Sequence, residues 1–468
     1  MEQIAMHRIS TVLLTLLLLL GLANAAPSDH VSTALHDTDA DNSARLTSRQ
    51  PVSAAEWRAQ QRAAFVKAEG IYTQALKKKG LLAQYRIMQQ AAAEDRTPAF
   101  RSIFSQYVSW YQTYLGDYAA ARNTHSLQQV SDSDDNISPL SIPGMQQKLA
   151  VDALLALTKI RQAVFFNEAH TYPHTRILTI EMLAQLRAQG FDTFAAETLY
   201  ENDKDLQKRG YPTVKSGFYT QEPLYAEMIR EAIKLGFTVV AYEAEKAEGD
   251  AREREQAATL ISRVFKKNPK ARLVVNAGFA HIQKAGKYLD GESMAQHFKK
   301  LSNIDPLCIE QTMMVDHDTT AHDHPFYRAV IEYLHPVKPI VFVDAAGKPW
   351  SLKPKAYDIS VFFPPQELRR DRPTWLDIDG LRKPVLVHQS LCQKQVPCLI
   401  EARYADEGKD AIPADRMLFD HIDILGEQAV SELYLRPGNY RLTVSALDER
   451  VLANQTLTVA ADSTASTR

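Results

Sequence analysis

From Gln162 to Phe363 the chain repeats one pattern: a short apolar run, then a longer stretch whose apolar residues recur at three- and four-residue steps. QAVFF leads into PHTRILTIEMLAQLRAQG, which carries Pro173 at an early position and closes on Gly190. FDTFAAE, EPLYAEMIREAIKLG, FTVVAYE, DAREREQAATLISRVFKKNP and RLVVNAG follow, with Asp250 as a candidate N-cap. Proline suits a first helical turn and glycine the position past a helix end, so the longer stretches read as helices between strands. MQQKLAVDALLALTKI, ahead of the first run, has the spacing of another helix, while LCIEQTMM, PIVFVD and DISVFF read as further strands. Apolar strands alternating with amphipathic helices predict an α/β class: a mostly parallel sheet flanked by helices on both faces.

The flanks differ in texture. Near the start, Arg8 precedes ISTVLLTLLLLLGLANAA, and Ala23-Asn24-Ala25 has the small-x-small form of a signal-peptidase site. Export to a bacterial periplasm is therefore expected, with secretion as the second choice and an uncleaved anchor as the alternative reading of the apolar run. The expected organisation is a signal peptide over 1–25, a polar flexible leader over 26–54, a helical hairpin domain over 55–124 and a Ser/Asp/Pro-rich linker over 125–144. An α/β domain over 145–380 and a β-sandwich-like appendage over 381–468 complete it. In the appendage, SELYLRPGNYRLTVSAL suggests two alternating runs joined at a Pro-Gly-Asn turn; the alternative is an extension of the α/β sheet. An oxidising compartment permits a small-loop disulfide between Cys392 and Cys398, leaving Cys308 buried.

Lysine and arginine number 54 against 56 acidic residues, so net charge gives no reason to expect nucleic acid or an anionic membrane as partner, and no stable membrane insertion after cleavage is expected. The informative charges sit where apolar runs stop. QAVFFNEAH ends on Glu168 and His170, FDTFAAET on Glu197, FTVVAYEAE on Glu243 and Glu245, and RLVVNAGFAH on His281. In open α/β sheets the crevice beyond the carboxyl ends of the strands binds ligands, so these groups are expected to face one pocket. Histidines with glutamates suit general acid–base chemistry or a divalent metal. His174, in the first turn after Pro173, is within reach of the same pocket, with a surface histidine as the equal alternative. The run MMVDHDTTAHDHPF, with Asp316, His317, Asp318, His322, Asp323 and His324, reads as a solvated loop at the pocket mouth. No GxSxG elbow, GxxxxGK[ST] loop or GxGxxG turn occurs, which argues against a serine hydrolase and a nucleotide enzyme.

At these residues a resemblance enters. FFNEAHTYPHTRILTIEMLAQLRAQGFDTFAAETL resembles the opening motif of the superfamily that joins erythromycin-esterase-like, ChaN-like haem-uptake and Tiki/TraB proteins: an apolar strand, a GExH-type turn, a helix, and a strand ending in Glu. DAREREQAATLISRVFKKNPKARLVVNAGFAHIQK is similar to that superfamily's arginine-bearing helix, strand and GxxH turn. The likeness spans about 150–363, with Asn167 standing where the family has glycine. It implies roles for Glu168, His170, Glu197, Arg252 or Arg254, and His281, with His174, Glu243 and Gly278 as substrate-binding candidates.

The leading expectation is a hydrolase of ester or peptide bonds in which water is the nucleophile, acting on a small-molecule or peptide substrate. In a metal-free version His170 takes the proton, Glu168 or Glu197 orients it, and Arg252 or His281 stabilises the oxyanion. In a metal version His170, Glu197 and His281 hold an ion such as zinc with one position open. The alternative is a haem- or ligand-binding protein, with Tyr172, Tyr200, Tyr219 or His174 on the iron. A further alternative is a scaffold that has lost catalysis and binds protein partners through its N-terminal helices and β-rich tail.

Overall fold

The structure, a computed structural model, describes residues 53–125, 131–244, 247–422 and 429–461. The expected signal peptide and nearly all of the leader lie outside the described residues, as does Glu245. No described helix is long and apolar enough to cross a membrane.

An eight-stranded sheet forms the centre: β1 (Gln146–Leu149), β2 (Ala163–Glu168), β3 (Thr193–Ala196), β4 (Thr238–Val240), β5 (Leu273–Gly278), β6 (Leu307–Met314), β7 (Ile340–Val343) and β8 (Ile359–Phe362). Their order is β1-β7-β8-β6-β2-β5-β3-β4. Every pairing from β8 to β4 is parallel, and β7 and β1 add antiparallel pairings at one edge. The α/β class read from the sequence is therefore the class of the molecule.

The apolar run Ala163–Phe166 that opens β2 has a direct cause. Val164 and Phe166 join a core shared with the helices Ile177–Ala188 and Pro223–Lys234. Ala163 and Phe165 join a second core, with the helices Gly249–Leu260 and Met294–Ser302. Both faces of the strand are covered, so its first four residues are all apolar.

Three local expectations are corrected. Gln146–Leu149, predicted as the start of a helix, is the exposed edge strand β1, paired with β7; the helix begins only at Ala150. Periodicity alone does not separate four polar-edged residues of strand from a helix start. Asp250 is not the N-cap of its helix, which opens at Gly249 behind Glu248; its carboxylate instead accepts from the Glu292 backbone at 2.7 Å and contacts His297 at 3.0 Å. The Pro-Gly-Asn turn does not close a hairpin. Val430–Leu435 pairs with Lys383–His388, whereas Gly438–Ala446 pairs with Cys398–Tyr404 and Val451–Val459.

The turn thus passes the chain from a two-stranded to a four-stranded antiparallel sheet. Leu433 and Leu435 from the first meet Ile400, Leu442 and Val444 from the second in one apolar core, separate from the eight-stranded sheet. Cys392 and Cys398 are joined in a disulfide inside this core, and Cys308 is free and buried in β6.

The N-terminal helices Ala54–Ala75, Leu81–Glu94 and Pro98–Tyr114 share their core with the α/β layer, while Tyr118 of the helix Tyr118–Thr124 packs with Leu376 and Tyr434. Trp110 meets Phe218 and Tyr219 edge-on, with ring centroids 5.2 and 6.4 Å apart. That contact matters because Tyr219 covers the strand ends.

Candidate functional site

Strand register brings the site together. β2 pairs with β5 so that Glu168 lies opposite Gly278, and β3 pairs with β5 so that Ala196, the residue before Glu197, lies opposite Asn276. The ends of three adjacent strands are therefore level. Glu168, His170, Glu197, Arg252 and His281 are each at most 5% exposed and are linked by short contacts.

His170 is held from one side. Its Nδ1 lies 2.9 Å from Glu168 Oε1, and Glu168 in turn accepts from Arg176 Nε at 2.7 Å, Arg176 Nη2 at 2.8 Å and Asn276 Nδ2 at 2.8 Å. Burial works to raise the Glu168 carboxyl, but Arg176 and His170 outweigh it and hold it at about 2. An ionised Glu168 fixes the Nδ1–H tautomer of a neutral ring and leaves Nε2 as an acceptor. Among the described residues Nε2 makes no hydrogen bond; Glu197 Oε2 is 3.9 Å away.

Gly278 makes this approach feasible. A Cβ there would meet His170 Nε2 at 2.3 Å and Glu197 Oε2 at 3.1 Å, and the Gly278 N–H donates to Glu197 Oε2 at 2.6 Å. Its role is steric and, through its amide, electrostatic.

On the other side of Glu197 the charges are positive. Glu197 Oε1 is 3.2 Å from Arg252 Nη2 and 3.4 Å from His281 Nε2. Burial opposes a charged His281, but Glu253 Oε2, 2.7 Å from Nδ1, and Glu197 raise it to about 10. With both ring nitrogens protonated, the 3.3 Å approach of Arg252 Nη1 to His281 Nε2 brings two donors together; the carboxylates on either side of the ring decide its state. Burial also works to raise Glu197, and His281, His170 and Arg252 bring it well below the ordinary range.

Several expectations resolve here. Arg252 is buried in the cluster, whereas Arg254 is exposed. Glu243 grips Arg252 through two bonds of 2.9 and 3.0 Å, so it aims the guanidinium and does not face an open pocket. His174 does not join the cluster: its ring stacks on Trp375 at 5.2 Å, meets Phe363 edge-on and contacts Tyr172 Oη through Nδ1 at 3.2 Å. Burial first, then Arg122, pushes it down to about 3, so it is neutral. Asn167 is accommodated without blocking the turn. Its side chain bridges β2 to the Phe279 carbonyl at 2.9 Å and the Gln311 amide at 2.6 Å.

The histidine- and aspartate-rich run is not a solvated loop. Asp316 accepts from Tyr172 at 2.6 Å and pairs with Arg122 at 2.7 Å, His317 and Asp323 are buried against each other, and buried His324 caps the helix Pro325–Leu334. Asp318 and His322 pair at 2.6 Å nearer the surface. The sequence reading also missed Glu253, Arg176, Asn276 and the placement of Tyr219. The Tyr219 ring stacks on His170 at 4.0 Å, and its buried hydroxyl has no hydrogen-bond partner.

Neither implied cofactor fits these residues. The Arg252 guanidinium contacts both Glu197 and His281, which are themselves 3.4 Å apart, so a positive charge already stands where a divalent ion would have to bind. Among the described residues no three His, Cys, Asp or Glu side chains are grouped to hold a metal ion. For haem, Tyr172 is committed to Asp316 and Tyr219 is packed on His170. The cleft that His174 reaches is lined by Asp152, Glu181, Asp377 and Asp379, which would repel the carboxylates of a haem.

No family model matches the chain, and no curated protein matches it. Among solved structures the chain is similar to RRSP, a MARTX toxin effector domain from Vibrio vulnificus CMCP6, at 17% identity and a TM-score of 0.27, over 52% of this chain and 48% of that one. A structure described as bacterial protein toxins matches at 13% identity and a TM-score of 0.28, covering 55% and 65% of the two chains. A second such structure matches at 13% and 0.27, covering 49% and 53%. This chain thus spans about half to two thirds of the length of these neighbours, and TM-scores this low have no bearing on its chemistry.

Proposed function

We propose that the chain is a metal-free hydrolase of the erythromycin-esterase-like, ChaN and Tiki/TraB superfamily, cleaving an ester or peptide bond with water. The observation that carries this reading is the one-sided hold on His170: Nδ1 bonded to an ionised, triply supported Glu168, and Nε2 without a hydrogen-bond partner among the described residues. That arrangement makes an oriented base.

In the proposed reaction His170 Nε2 takes a proton from water, and the water oxygen bonds to the substrate carbonyl carbon. The carbonyl electron pair moves onto its oxygen, where Arg252 and protonated His281 offset the charge; the unpaired Tyr219 hydroxyl is a further donor beside His170. Collapse breaks the C–O or C–N bond, and the imidazolium returns its proton to the leaving group. Glu168 stabilises that imidazolium, and Glu243, Glu253 and Glu197 keep the two cations in position. Because Tyr219 and Phe279 cover His170, substrate entry requires their displacement.

The test is a panel of activated esters, lactones and peptides with the wild-type protein and His170→Ala. Hydrolysis reduced about 10² to 10⁴-fold in a folded His170→Ala variant is expected. Equal turnover in the two proteins, or a stoichiometric divalent ion lost in His281→Ala, would overturn the reading.

A further inference from the structure

A second site is built where His174 leaves the strand-end cluster. The cleft of about 490 Å³ beside the helix Ile177–Ala188 lies in the size range of small-molecule pockets. Its walls carry four carboxylates, Asp152, Glu181, Asp377 and Asp379, and one lysine, Lys338. Lys338 is committed to Asp379 at 2.6 Å, and Asp152, Glu181 and Asp377 have no ion-pair partner among the described residues.

Independent of the acids, His174 is 3% exposed and reaches the same cleft. Tyr172 donates its hydroxyl proton to Asp316, so His174 Nδ1–H donates to the tyrosine oxygen. The neutral ring is then left with an acceptor at Nε2, which has no hydrogen-bond partner among the described residues. Trp375, stacked on that ring, and Ile177 and Val337 supply apolar surface alongside.

We propose that this cleft binds an alkylammonium ion: its charge lies among Glu181, Asp377 and Asp152, one N–H is accepted by His174 Nε2, and its stem rests on the apolar wall. The ligand complements what the cleft lacks, a cation for its unpaired carboxylates. It also donates to the His174 Nε2 acceptor, which an anion cannot do. The same chemistry is available from a free amine and from a lysine side chain. The residues lining the cleft include neither His170 nor Glu168, Tyr219 or Phe279 around it, so the proposal stands whether or not the proposed hydrolysis does.

Calorimetric titration of the full-length protein at about pH 8, where carboxylates are ionised, decides the matter. One arm uses 1,5-diaminopentane and the other Nα-acetyl-lysine amide, and the tighter binder identifies the source. Saturable binding of at least one, none of 1-pentanol, and at least about tenfold weaker binding by Glu181→Gln/Asp377→Asn is the expected result. If that double variant does not fold, Glu181→Gln alone is expected to bind about threefold or more weakly. No saturable binding of either amine up to about 10 mM, pentanol binding equally well, or unchanged binding by the folded variant would overturn the proposal.

Discussion

Two carboxylate-rich regions lie on either side of the segment His170–His174, and burial acts on both in the same direction. At the strand ends Glu168 is held at about 2 and Glu197 is brought down, because Arg176, Arg252 and the histidines outweigh burial. In the cleft Glu181 is pushed up to about 7 and Asp377 is also raised, by burial and by neighbouring acids, with Lys338 too weak to compensate. What separates a charged network from a cluster awaiting a cation is the presence of built-in cations, not the number of acids.

The comparison can be broken most forcefully at Arg176. Arg176→Met strands Glu168 and Glu222, both buried and both bonded to this guanidinium at 2.7 Å, so unfolding in urea is expected to show a loss of about 3 to 5 kcal/mol. A loss under about 1 kcal/mol would mean the strand-end acids do not depend on their cations. Gly278→Ala comes next. Its methyl would press on the His170 ring, and about 1 to 3 kcal/mol of destabilisation is expected together with loss of any His170-dependent turnover. Retained turnover would place the reactive edge of His170 elsewhere.

The smallest effect is a pH dependence of opposite sign in the two regions. Glu168 is depressed from 4.5, so its stabilisation is present above that value and lost as pH falls towards about 2. Glu181 is raised from 4.5 to about 7, so the folded state holds a proton that the unfolded state releases; the favourable contribution exists at low pH and fades as pH rises through about 7. Glu181→Gln should therefore flatten the stability profile between pH 4.5 and 7, by on the order of 1 kcal/mol because the cleft opens to solvent. Matching slopes for variant and wild type would remove Glu181 from the account.

Much of the strand-end cluster was readable because apolar runs end abruptly. Glu168, His170, Glu197 and His281 each follow such a run, and parallel strands deliver their ends to one rim. Glu253 was hidden because DAREREQ reads as a solvated charged face, although Arg252 and Glu253 both turn inward. Arg176 follows no apolar run and so carries no such mark, and Tyr219 lies in irregular chain that no periodicity positions. His174 was expected in the His170 pocket; the short 3-10 turn Pro173–Arg176 carries it instead to Trp375.

Sequence alone determined the α/β class and which strand ends carry titratable groups, because hydrophobic periodicity and chain punctuation are local properties. Tertiary structure decided which cation meets which carboxylate. Those pairings join residues far apart in the chain, as Arg252 and Glu197 are at 55 positions, and depend on strand register that no local pattern encodes. It also set the protonation of Glu181 and His281, since the energy of a buried charge depends on the neighbours that packing supplies.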